Sequence, residues 1–116
     1  DNQRPIWLQI TEYIRQGMIA GTWKQGDKLP SVREWALELK VNPNTMVKAL
    51  AQLEREGLIV TRRGAGKYVA ATSSELLAKG ETEALELTER YLTQMRQLGC
   101  DDAQIAALLR QKGMKV

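Results

Sequence analysis

The chain has 116 residues, room for one domain or one domain with a small appendage. Apolar residues make up 43% of it, which supports a core and excludes a disordered polypeptide, while no apolar run approaches the roughly 20 residues of a membrane span. One cysteine and no histidine exclude an internal disulfide and leave almost no ligand set for zinc, so neither a metal nor a cofactor is expected.

The net charge of +3 is unevenly placed. Residues 1–70 hold 11 Lys/Arg against 7 Asp/Glu, whereas residues 71–116 hold 6 against 7. A basic front suits an acidic partner such as nucleic acid. The lone Cys100 fits a reducing cytosol, so a cytoplasmic location is expected. No signal-peptide pattern is visible, and the absent initiator Met leaves room for residues upstream.

The first helix is expected over residues 5–20. Pro5 suits a first helical position, where a missing N–H costs nothing. Ile6, Ile10, Tyr13, Ile14 and Met18 then recur at helical spacing and predict one buried stripe. Gly21 ends the helix. Residues 23–28 read as a turn around Gly26–Asp27, with Trp7 and Trp23 assigned to packing.

Ser31-x-x-Glu34 is a capping box and opens a second helix whose inner face is Val32, Trp35, Ala36 and Leu39. Arg33 lies in its first turn, off that face, where the helix dipole mildly disfavours a cation. Residues 40–43 form a tight turn, and Asn42 with Pro43 starts a third helix at once. Met46, Ala49, Leu50 and Leu53 fall on its core side at 100° per residue. The opposite side carries Asn44, Lys48, Ala51 and Arg55, flanked by Thr45 and Val47. A solvated polar face would explain these residues alone. Their place just after a helix-turn-helix joint, about residues 31–56, favours reading base edges: Asn suits adenine, Thr a thymine methyl, and Lys guanine or phosphate.

After Gly57, residues 58–61 and 67–69 read as two short strands. Arg62, Arg63 and Gly64 begin a basic, glycine-rich tip suited to phosphates or a minor groove. Gly64-x-Gly66 lacks the third glycine and following helix of a nucleotide loop. A small-residue linker and Thr72-x-x-Glu75 lead into a long helix ending at Leu98, with Gly99 beyond it. Leu77, Ala84, Tyr91 and Leu98 recur every seven residues, with Leu87 and Met95 between them, an imperfect heptad seam interrupted by Gly80. Asp101-x-x-Gln104 opens a last helix with Ile105, Leu108 and Leu109 turned inward. The expected self-association surface is Leu77, Ala84, Leu87, Tyr91, Met95, Leu98, Ile105 and Leu108. The alternative is a tail folded back on the first helix.

Leu29-Pro30-Ser31-x-Arg33-Glu34, Val41-Asn42-Pro43-Asn44-Thr45, Leu53-Glu54-x-x-Gly57-Leu58-Ile59 and Arg63-Gly64-x-Gly66-x-Tyr68-Val69 together resemble the GntR family of bacterial winged-helix regulators. The short two-helix tail is similar to its YtrA-type subfamily. The resemblance implies a mainly α fold with a small β-hairpin: a winged helix-turn-helix domain over residues 1–70, its wing about 58–70, and a helical dimerisation tail over 71–116. It implies DNA contacts at Arg33, Asn42, Asn44, Thr45, Lys48, Arg63 and Gly64, to which the residues themselves add Ser31 and Arg62. Pro43 and Val47 stand where many relatives carry Arg, so the target sequence is expected to differ. Trp35 in place of a usual Leu is expected to affect packing only.

The expected function is a sequence-specific DNA-binding repressor that meets an inverted-repeat operator as a homodimer, without catalytic residues. An unidentified small-molecule effector is compatible with this plan, although no residue cluster marks a site for one. A winged-helix protein-interaction module without DNA readout is the alternative. Double-stranded RNA is disfavoured because its major groove is closed to such side chains.

Overall fold

The computed structural model describes residues 3–116. The described elements run α1 (Ile6–Ile19), α2 (Val32–Leu39), α3 (Pro43–Arg55), β1 (Ile59–Arg62), β2 (Gly66–Val69), α4 (Ser73–Gln97) and α5 (Asp102–Gln111). The chain is mainly helical with one antiparallel hairpin, as expected from its patterning.

Local chemistry explains most boundaries. The Ser31 hydroxyl accepts from the Glu34 N–H while the Glu34 carboxylate accepts from the Ser31 N–H, both at 3.0 Å. Asn42 Oδ1 accepts from the Asn44 N–H at 2.8 Å, and Pro43 occupies the first turn of α3. Asp101 and Gln104 repeat the capping box ahead of α5. Between α2 and α3 the chain turns through Lys40, whose φ of 56° lies in the left-handed region that normally selects glycine.

Compact packing divides the chain within α4, with one unit ending at Gly80 and another running Glu81–Val116. In the first unit Ile10, Ile14 and Met18 of α1 meet Trp35 of α2 and Met46, Ala49, Leu50 and Leu53 of α3. Leu58, Ile59, Val69, Ala71 and Leu76 complete the same cluster. The first unit thus takes in the start of α4. Leu76 is buried in its core, and a Cβ on Gly80 would come within 2.9 Å of Ile19 Cγ2.

Two residues of the expected α1 stripe are not buried. Ile6 and Tyr13 are each 53% exposed, and the small Thr11 is fully buried instead. Thr11 Oγ1 lies 2.8 Å from the Trp7 carbonyl and 3.3 Å from that of Ala49, so its hydroxyl has an acceptor where α1 crosses α3. Helical spacing marks a stripe, but the neighbouring elements decide how wide a stripe is covered.

The hairpin register pairs Ile59 with Val69, Val60 with Tyr68, Thr61 with Lys67 and Arg62 with Gly66. Alternation turns Ile59 and Val69 into the core and leaves Val60 exposed. Residues 26–28, expected only as a turn, and Leu29 add a short third strand-like edge. Lys28 bridges to Tyr68, the Leu29 N–H donates to the Lys67 carbonyl, and the Val69 N–H donates to that of Asp27. In the second unit Ile105 is 5% exposed, whereas Leu87 and Leu98 are open to solvent.

Candidate nucleic-acid interface

The outward side of α3 is built by elimination. Met46, Ala49, Leu50 and Leu53 are fully buried, so the helix geometry leaves Asn44, Val47, Lys48 and Arg55 exposed, with Thr45 and Ala51 half-buried. Asn44 opens this face within the first turn of the helix. Asn42 spends its carbonyl oxygen on the cap and keeps its NH2 for a ligand. Ser31 likewise accepts with its oxygen and retains its O–H. Arg33 is exposed in the first turn of α2, with no hydrogen-bond or ion-pair partner among the described residues.

Lys48 is exposed, and its ammonium sits over the Trp7 ring of α1, 4.7 Å from the centroid. Arg62 departs from expectation. It is the last residue of β1, not part of the tip, and its guanidinium lies over the Tyr68 ring at 4.3 Å. Strand pairing with Gly66 extends β1 by one residue, so the tip is the three-residue turn 63–65, with Gly64 at φ 75°. Arg63 projects there, exposed.

A groove of about 680 Å³ separates α3 from the wing, lined by Val32, Val47, Ala51, Glu54, Arg55 and Lys67. Its floor contains a polar clasp. Glu54 of α3 accepts from Lys67 of β2 and from the Thr61 hydroxyl of β1, the latter at 2.9 Å. The Lys67 hydrogen bond holds the Glu54 carboxyl below the usual glutamate range, against a smaller opposing effect of burial. The clasp ties the wing to α3 and uses up one basic charge. Sequence reading missed it because Glu54 and Lys67 are thirteen residues apart. It equally missed Lys28, which lies across Gly66, its Cε 3.3 Å from where a Cβ would stand.

Behind α3, Arg15 of α1 grips Glu56 in a two-pronged pair, Nε to Oε1 at 2.9 Å and Nη2 to Oε2 at 2.6 Å. The recognition-type helix is therefore anchored at its far end while its first turn stays open.

This arrangement presents a polar helix face, a basic hairpin and free donors at two helix starts, a set suited to duplex DNA. The model for "Bacterial regulatory proteins, gntR family" matches residues 7–69, more than half of the chain. The chain belongs to the GntR family. This regulator is 46% identical over 77 residues to the HTH-type transcriptional repressor YtrA of Bacillus subtilis, covering 66% of this chain and 59% of that protein. It superposes on a GntR family transcriptional regulator from Listeria monocytogenes with a TM-score of 0.87 at 39% identity, covering 96% and 97% of the two chains. The AraR DNA-binding domain in complex with operator ORR3 also matches, with a TM-score of 0.53 and 28% identity over 55% of this chain and 77% of that one. The regulator is thus a DNA-binding transcription factor of winged-helix fold.

Of the residues expected to self-associate, Leu77, Ala84, Leu87, Tyr91, Leu98 and Leu108 are exposed and Met95 is half-buried. Ile105 is already buried in the single chain. No helix among the described residues is long and apolar enough to cross a membrane.

Proposed function

We propose that this regulator represses transcription by occupying an inverted-repeat operator as a homodimer in the cytoplasm, through binding and without catalysis. Ser31, Asn42, Lys48, Arg62, Arg63 and Gly64 meet the phosphate backbone, while Arg33, Asn44 and Thr45 read bases. The observation that carries this reading is the open polar face at the start of α3, left exposed beside the wing while the other side of the helix is wholly buried. Residues 71–116 supply the dimer contact through Leu77, Ala84, Leu87, Tyr91, Met95, Leu98 and Leu108. Exposed leucines on a helix otherwise rich in Glu support that role. A small effector enters only as an addition, because competition with polymerase for the same duplex suffices for repression.

Selection of bound duplexes from a random pool tests the proposal. The expected outcome is an inverted repeat whose half-site centres lie about one helical turn, roughly 34 Å, apart. A pool with no enriched sequence overturns DNA readout. An enriched site without symmetry, or a monomer in sedimentation that Leu87→Asp leaves unchanged, overturns the dimer.

A further inference from the structure

Four cations of the first unit are held in two different ways. Arg15 and Lys67 are paired with carboxylates, Glu56 and Glu54. Lys48 and Arg62 lie over aromatic rings, Trp7 and Tyr68, and neither has an ion-pair partner among the described residues. The difference matters at a DNA surface. A carboxylate orders a cation but cancels its charge toward phosphate, whereas a ring orders it and leaves the charge intact. An arginine over a ring face still presents N–H donors at its edge.

Tyr68 has few other reasons to stand where it does. Strand alternation puts Val69 in the core and Tyr68 on the opposite side of the wing, half-buried. Among the described residues its hydroxyl makes one hydrogen bond, 3.3 Å to the Ala65 carbonyl. Arg62 is diagonal to it on the paired strand, within reach of a long side chain.

We propose that Tyr68 is a positioning residue for DNA binding, holding Arg62 in place for a backbone phosphate, and that Trp7 does the same for Lys48. This rests on the reading that both cations meet DNA. A cation already ordered by its ring loses less freedom on reaching phosphate, so each platform contributes about 2- to 12-fold in affinity. It contributes nothing to sequence preference.

The test is a double-mutant cycle on the full chain, read as binding to a random-sequence duplex over a series of salt concentrations. Parent binding tests the DNA reading, and the cycle tests the platform. Arg62→Gln should lower affinity and flatten the salt slope by about one unit. Tyr68→Leu should lower affinity about 2- to 12-fold with the slope unchanged, since the same phosphate is still met at greater ordering cost. Tyr68→Phe should bind as the parent does. In the Arg62→Gln background, Tyr68→Leu should have no further effect. An equal loss in both backgrounds means that the ring merely supports the hairpin, and overturns the proposal, as does no loss at all. A second measurement needs no variant. In the free parent chain the Arg62 side-chain protons should be shifted upfield by the Tyr68 ring current, and unshifted protons overturn the platform. A parent chain that binds no duplex at low salt overturns both the platform and the DNA reading.

Discussion

Glu56 fastens the end of α3 to α1, and replacing it by Gln keeps its shape while removing its charge. Two charge-assisted bonds from Arg15, at 2.9 and 2.6 Å, are weakened together. Side-chain exposures of 17% for Arg15 and 16% for Glu56 place the pair between surface and interior. Breaking a fully buried pair costs about 3–5 kcal/mol, and a charged hydrogen bond contributes about 1.5–3 kcal/mol. Gln retains one acceptor, so the expected loss is about 2 kcal/mol. With a urea slope of about 1–2 kcal/mol/M, the unfolding midpoint should fall by about 1–2 M. Tryptophan fluorescence is the natural probe, because Trp7, Trp23 and Trp35 all belong to the unit that the pair stabilises. The pH dependence sharpens the test. Burial pushes the Glu56 carboxyl upward, but hydrogen bonds from Arg15 and Gln52 and the charges of Arg15 and Lys79 outweigh it and leave it below the ordinary 4.5. A carboxyl lowered on folding stabilises fully above about pH 4.5, and that stabilisation is lost as pH falls through the lowered value. The gap between parent and Glu56→Gln should therefore close in acid. No gap at pH 7, or one that persists unchanged in acid, would refute the reasoning.

Lys40→Gly should raise stability. Relief of about 1–2 kcal/mol from a left-handed backbone exceeds the roughly 0.4–1 kcal/mol that glycine adds to unfolded-state entropy, leaving about 0.5–1 kcal/mol in a urea titration. Gly17→Ala should do the reverse, although alanine is the better helix former by about 1 kcal/mol. Its Cβ would stand 2.2 Å from Trp23 Cζ3, displacing a ring packed edge-on to Trp35, and overpacking costs about 1–3 kcal/mol. A raised melting temperature would show that the ring yields freely. On DNA, Arg33→Ala should cost about 1–3 kcal/mol and relax preference at one position, while Lys48→Ala should weaken all duplexes alike and flatten the salt slope by about one. Titration of operator and random duplexes in parallel separates the two outcomes.

What could be read from the chain alone was local or periodic. The Ser31–Glu34 and Asp101–Gln104 boxes and the Asn42–Pro43 start each depend on residues within one helical turn. The four core positions of α3 repeat at 3.6-residue spacing, so its outward face could be named in advance. Where the reading failed, the deciding contact was remote in sequence. Ile6 and Tyr13 belong to an apolar stripe that no described neighbour fully covers, while Leu76, beside the expected seam residue Leu77, is in the core. Lys40 occupies a glycine-like conformation that its own side chain does not announce.

Sequence by itself determined the helices, the joint between them, the hairpin and the basic front of this regulator, because caps, periodicity and turn chemistry act over a few residues. Only the tertiary structure decided that residues 26–29 join the wing, that Glu54 neutralises Lys67, and that Lys48 and Arg62 rest on rings. The reason is physical. Arg62 meets Tyr68 through the register of the hairpin, while the other pairings join elements brought together by burial of the core, and burial is non-directional. It draws the elements together without recording in any short stretch which side chains will meet.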